Sequence, residues 1–139
     1  MNVVGFNSKS IEHLKEKLKE IDILSLHCPL TEETKHLIGK NELQAMKKNA
    51  ILINTARGPV VDENALLSHL KANPEFYAGL DVFEFEPMIE PSLYQLENCL
   101  CLPHIGSATH KTRLAMAKIC IDEAVRFSKN EPLINEFKL

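Results

Sequence analysis

The sequence predicts an α/β fold, a parallel sheet with helices on both faces. Two observations lead there. Short apolar runs alternate with segments of helical period along the chain, and each is closed by proline, glycine or a capping residue rather than by a tight hairpin turn. Val3, Val4 and Phe6 predict a short first strand, after which Ser10 caps a helix whose Ile11, Leu14, Leu18 and Ile21 form one stripe. Ile23-Leu24-Ser25-Leu26 reads as a strand ended by Pro29, and Asn41 opens a helix that places Leu43, Ala45 and Met46 near a core. The unit repeats. Ala50 to Asn54 reads as a buried strand, Gly58-Pro59 as a turn, and Asp62 as the cap of a helix carrying Ala65, Leu66, Leu67 and Leu70 and stopped by Asn73-Pro74. Tyr77 to Val82 and Cys99 to Leu102 give two more strands, and a long helix runs from near Thr109 to about Phe127 with Leu114, Ala117, Ile121 and Val125 on one side.

Composition narrows the function. A chain of 139 residues, 45% hydrophobic and 25% charged, has the makeup of one water-soluble domain. Its formal charge of -3 and scattered Lys and Arg residues offer neither a nucleic-acid stripe nor a polybasic membrane patch. The longest apolar runs, such as Ala50 to Ile53, fall far below the ~20 residues of a membrane span, and the first residues lack a signal peptide's layout. A cytoplasmic protein with neither nucleic-acid nor membrane partner is expected. Cys28, Cys99, Cys101 and Cys120 have neither metal-ligand nor disulfide spacing and read as reduced thiols, with Cys99 and Cys101 on one face of a strand as small hydrophobes. No metal site is expected. His13, His27, His36, His69 and His110 read as helix or loop surface residues.

In a parallel sheet, ligands gather at the carboxyl ends of the strands. There the sequence places Asn54-Thr55-Ala56-Arg57-Gly58, then Asp81 to Pro87, then Pro103-His104-Ile105-Gly106-Ser107. Singly, Arg57 reads as a loop charge, Glu86 as a surface acid and His104 as a strand-end histidine; a common rim gives them a joint chemistry. A guanidinium holds a carboxylate through two parallel hydrogen bonds and polarises the neighbouring carbonyl. A histidine gives a proton to the developing alkoxide or takes it back, and an acid on its other ring nitrogen orients it. The set suits interconversion of a 2-keto and a 2-hydroxy acid, with the hydride coming from a cofactor.

From Asn2 to Leu139 these residues resemble the D-isomer-specific 2-hydroxyacid dehydrogenases. The segment Asp22 to Thr31 looks like that family's cofactor-cleft segment, Asn54 to Gly58 like its arginine motif, Gly79-Leu80-Asp81-Val82 with Glu86-Pro87 like its glutamate motif, and Pro103 to Ser107 like its histidine motif. Within the family, Pro103 to His110, Lys111-Thr112-Arg113 and the ending Phe137-Lys138-Leu139 look most like glyoxylate/hydroxypyruvate reductases. The resemblance implies Arg57 as substrate clamp, His104 as acid/base and Glu86 as its partner. Glu84 is the competing acid and reads more simply as a solvent-facing loop charge. The resemblance also implies that Cys28, Pro29, Thr34, Thr55, Ala56, Arg57, Asp81 and His104 line an NADP or NAD site, with Asp81 on the nicotinamide carboxamide; Thr34 also reads as a turn hydroxyl and Cys28 as a packed thiol.

The departures from the family matter too. Gly5, Gly39, Gly58, Gly79 and Gly106 are too far apart to form Gly-x-Gly-x-x-Gly, and Asn2 to Phe6 look like the family's second strand. The resemblance therefore implies an incomplete Rossmann-like doubly wound sheet whose first, central strand is missing, with two edges left open. It also implies that residues 1–127 are a partial NAD(P)-binding domain, and 128–139 a tail that would return to a substrate domain absent from this chain. Asn7-Ser8-Lys9 stands where NAD-selective members place an acid, which favours NADP, although Lys9 reads equally as a surface lysine. The chain alone is expected not to be a competent enzyme. Its partners are a small 2-keto or 2-hydroxy acid and a second copy in a homodimer or a relative. The competing readings are a non-catalytic module that pairs with a full-length relative and an incomplete gene model.

Overall fold

The computed structural model describes residues 2–7 and 10–136. Four strands, β1 (Ile23–Leu26), β2 (Ile51–Asn54), β3 (Tyr77–Leu80) and β4 (Cys99–Cys101), pair in parallel in the order β1-β2-β3-β4. Leu24, Leu52, Ala78 and Cys99 stand in register across the sheet, as do Leu26, Asn54, Leu80 and Cys101. Parallel neighbours cannot be joined by a tight turn, and each crossover here carries a helix. These are α2 (Lys40–Ala45), α3 (Glu63–Ala72) and α4 (Pro91–Tyr94), while α1 (Ile11–Lys17) precedes the sheet and α5 (His110–Ser128) follows it. The result is a Rossmann-like α/β fold. It divides into two compact units, Met1–Pro103 and His104–Leu139.

In the first unit the core is one cluster. Leu14 and Leu18, one turn apart, meet Leu24, Leu26, Leu43, Leu52, Leu66, Leu70, Phe76, Ala78, Leu80 and Leu93. The strand members all belong to the register rows named above, so these helices cover a single sheet face. The opposite face carries Ile23, Tyr77 and Leu100, which are 51%, 51% and 62% exposed. α3 starts where Asp62 accepts the Ala65 N–H at 2.9 Å and stops at Asn73-Pro74. Its far end is tied by the buried Asn98, whose Nδ2 lies 2.8 to 3.2 Å from the carbonyls of Leu70, Asn73 and Phe76. Buried amides require such partners. In the second unit, α5 is capped by the Thr109 hydroxyl, which accepts the Thr112 N–H at 3.2 Å. Among the described residues no helix is long and apolar enough to cross a membrane.

Three local expectations are corrected. Val3, Val4 and Phe6 form no strand: residues 2–7 have no regular structure, because a strand exists only against a partner and β1 pairs with β2 alone. Ala45 is exposed, since α2 ends with it and directs Leu43 and Met46 inward instead. Ser10 precedes α1 without capping it; its hydroxyl accepts the Asn7 N–H at 2.8 Å and closes the preceding turn. The sequence reading also left out α4, whose acid-proline start Glu90-Pro91 is a legible helix entry. Ser8, Lys9 and Phe137 to Leu139, invoked for cofactor choice and subfamily, lie outside the described residues.

His69 stands against the edge of Phe76, ring centroids 4.6 Å apart, with its Nε2 buried and unpartnered among the described residues. It is therefore not the surface histidine expected. Burial disfavours the cation and holds its pKa below the usual 6.5. A group whose folded pKa is depressed contributes stability that is present above the unfolded pKa and is lost as pH falls through the folded pKa. Denaturant melts are expected to weaken below pH 6.5, before carboxylates titrate, and His69→Leu to flatten that limb. An unchanged limb would contradict this.

Candidate active site

The rim is built from loops that leave the carboxyl ends of the strands. β2 ends on Asn54, which is 1% exposed and is engaged at both ends of its amide: Oδ1 accepts the Ala56 N–H at 3.1 Å and Nδ2 donates to the Arg57 carbonyl at 3.0 Å. Its backbone carbonyl accepts the Asp81 N–H at 3.0 Å, the last rung between β2 and the end of β3. A residue that bonds its own following turn is what a strand-to-loop exit needs. Arg57 is thereby held on a fixed backbone with its side chain exposed, and Nη1 donates to the Ala56 carbonyl at 2.7 Å. Thr55 is exposed, while Ala56 and Asp81 are buried.

The 55–58 loop packs on the 81–87 loop, backbone to backbone. A Cβ built on Gly58 would fall inside the Phe83 carbonyl, so only glycine permits the approach. Beyond that contact, the Glu84 side chain is only 12% exposed, which corrects the expected solvent-facing charge. Its Oε1 accepts from His36 Nε2 at 2.6 Å and its Oε2 from the Glu63 N–H at 3.2 Å; the Glu84 N–H donates to Glu63 Oε2 at 2.9 Å. Two acids lie together because the amino end of α3 and an imidazole compensate them. Glu86 is exposed, and its Oε1 accepts the Phe83 N–H at 2.9 Å.

After β1, the buried Thr34 hydroxyl donates to the Pro29 carbonyl at 2.7 Å and accepts the Thr31 N–H at 2.8 Å. It clasps its own loop, so any contribution to a ligand is one of shape. Cys28 is half-buried against the core and Pro29 exposed. His36 closes this segment with φ 51° and its N–H on the Pro59 carbonyl at 2.7 Å.

His104 is the first residue of the second unit, two residues past Leu102, whose N–H donates to the Leu80 carbonyl at 2.8 Å. It is exposed and held at φ 52°, a left-handed conformation uncommon outside glycine and met often at functional sites. Arg57, Glu84, Glu86 and Asp81 all belong to the first unit. Cys99 and Cys101 have sulfurs 3.7 Å apart, and burial pushes the Cys99 thiol up to about 12. Such thiols behave as apolar groups rather than nucleophiles. The sequence reading missed Asn54, Glu63 and the Glu84–His36 contact. An asparagine closing an apolar run before a turn was a readable signal for the first; the others depend on residues far apart in the chain.

A parallel sheet with polar loops at its carboxyl rim is the frame of a nucleotide-binding α/β domain. Residues 3–106 match the family model for the D-isomer specific 2-hydroxyacid dehydrogenase NAD binding domain. The glyoxylate reductase of Thermococcus litoralis is 54% identical over 114 residues, covering 82% of this chain and 34% of that protein. A glyoxylate/hydroxypyruvate reductase B of Erwinia tasmaniensis is also 54% identical, over 109 residues, covering 78% of this chain and 34% of that protein. The crystal structure of an NADPH-dependent glyoxylate/hydroxypyruvate reductase from Sinorhizobium meliloti, in complex with NADP and malonate, superposes with a TM-score of 0.82 at 33% identity, covering 87% of this chain and 38% of that one. The chain belongs to the D-isomer specific 2-hydroxyacid dehydrogenase family and spans about a third of the length of these curated relatives.

The donor set fits one end of a dinucleotide. Asp81, Thr55 and Arg57 bring an acid, a hydroxyl and a cation to adjoining strand ends, whereas these 139 residues contain no Gly-x-Gly-x-x-Gly turn to cradle the pyrophosphate.

Gly58→Ala is expected to destabilise the chain by about 1–3 kcal/mol or more in denaturant titrations, because neither backbone can yield cheaply. Gly79→Ala has open space around its Cβ and serves as the control. Equal midpoints for the two variants would contradict the close approach.

Proposed function

We propose that this chain is the NAD(P)-binding portion of an oxidoreductase that interconverts a 2-keto acid of the glyoxylate or hydroxypyruvate type and the D-2-hydroxy acid. The observation that carries this reading is the exposed Arg57 guanidinium on a loop braced by Asn54, packed on the loop that bears Glu86, in a chain of this family. When bound, the nicotinamide supplies or receives the hydride. Arg57 uses one donor on Ala56 and keeps the others to grip the substrate carboxylate and polarise the carbonyl beside it. His104 is the acid/base, giving its proton to the nascent alkoxide in reduction and recovering it in oxidation. In this reading Glu86 is the partner that orients the imidazole.

Cys28, Pro29, Thr34, Thr55, Ala56 and Asp81 line the dinucleotide in this reading, together with Arg57 and His104. The choice of a glyoxylate or hydroxypyruvate substrate is supported by the names of the two reductases described above, and NADP by the Sinorhizobium complex. The binding portion extends over 1–127 and residues 128–139 lead toward a substrate domain. A homodimer and a cytoplasmic location complete the reading; four free thiols suit a reducing compartment. The uncovered apolar sheet face favours one second reading, a non-catalytic module that pairs with a full-length relative.

Titration of the 139-residue chain with NADPH and NADH, following nucleotide fluorescence and melting temperature together, separates the two. Saturable binding with a raised melting temperature is expected. A folded sample that binds neither overturns the oxidoreductase reading. In any turnover of glyoxylate, His104→Ala is expected to lower kcat by about 10²- to 10⁴-fold, and Arg57→Lys to raise KM.

A further inference from the structure

We propose that Glu84 is a positioning residue of the rim: clasped by His36 and the first amide of α3, it holds the 81–87 loop on the 55–58 loop and so fixes where Glu86 and Arg57 stand. The description of those two as catalytic rests on the function proposed above; the clasp itself is a matter of geometry.

The Glu84 carboxylate divides between two segments, Oε1 meeting His36 Nε2 at 2.6 Å and Oε2 the Glu63 N–H at 3.2 Å. The Glu84 N–H returns to Glu63 Oε2 at 2.9 Å, so the residue is fixed through both its backbone and its side chain. The peptide unit it shares with Phe83 is the one that Gly58 abuts. Phe83 in turn donates its own N–H to Glu86 Oε1 at 2.9 Å. On the other side, His36 gives its N–H to the Pro59 carbonyl at 2.7 Å, one residue from Gly58. The circuit therefore runs from His36 through Pro59 and Gly58 to Phe83 and Glu84, and back to His36. Releasing Glu84 loosens the backbone of Phe83, and with it the N–H that meets Glu86 Oε1.

A mostly buried carboxylate is costly to keep unless every oxygen has a partner, and here both do. A helix N-terminal amide and an imidazole are the two groups that stabilise it. The bonds at the clasp act on loops and not on the sheet, since β2 and β3 are paired independently through Ile51 to Leu80. Positioning and stability are thus separable.

The test uses the full chain, with amide hydrogen exchange and the ring nitrogen resonances of His36 read by NMR. Glu84→Ala is expected to speed exchange at Phe83 and Glu63 by about tenfold or more while the β2 amide of Leu52 keeps its protection. Glu84→Gln preserves an acceptor for Glu63 and is expected to restore protection there, yet to shift the His36 Nε2 resonance because the anion is gone. Should the alanine variant fail to fold, the glutamine variant decides alone. Unchanged exchange at Phe83 in a folded alanine variant, or an unmoved His36 resonance in the glutamine variant, overturns the clasp. Neither readout needs nucleotide or substrate, so a chain that binds no NADPH removes the enzymatic reading without touching this one. Where glyoxylate is turned over, loss of the clasp is expected to lower kcat more than it raises KM.

Discussion

The rim depends on the pair of hydrogen bonds made by the buried side chain of Asn54. A strand in a parallel sheet must release its chain into a loop, and the first amides and carbonyls beyond the ladder then lose their partners. Asn54 supplies them, with its oxygen on Ala56 and its nitrogen on Arg57, while its own carbonyl holds the amide of Asp81. One residue thus converts the regular spacing of β2 and β3 into a defined exit for both following loops. An aspartate there would lose the donor, and a leucine would strand the Ala56 N–H and leave the Arg57 carbonyl to the Val60 N–H alone.

Apolar packing and polar bonding have different tasks in this unit. The leucines of α1, α2 and α3 meet one face of the sheet and supply the burial that makes folding favourable. The bonds among Asn54, Glu63, Glu84, His36 and Thr34 add little net energy each, since they replace bonds to water, but leaving any of them unmade in a buried place costs more than making it gains. They select one loop arrangement out of many that the core would accept. The cysteine pair on β4 illustrates the opposite case: with its thiol raised to about 12, Cys99 stays protonated and serves the core as a small hydrophobe.

Much of this was legible in the sequence, and for identifiable reasons. β1, β2, β3 and β4 announce themselves as short apolar runs, and Asp62 as a cap, because those signals are local. The positions of Arg57, Glu86 and His104 follow from where the strands end. What the sequence concealed is non-local. Val3-Val4-Phe6 has the composition of a strand, but strand formation is decided by a neighbour that composition cannot supply. Glu84 resembles any loop acid until His36, 48 residues earlier, is brought against it. His69 sits at a surface-like position on a helical wheel and is half-buried because Phe76 folds back over it.

The approach of Gly58 to Phe83 has a consequence for engineering. Two loops that touch through main-chain atoms share a single shape, and neither can be redesigned against a constant partner. A library that varies residues 55–58 alone, or 81–87 alone, samples mostly incompatible pairs. The two segments behave as one transplantable cassette, to be moved between scaffolds together with the strand spacing that sets them side by side.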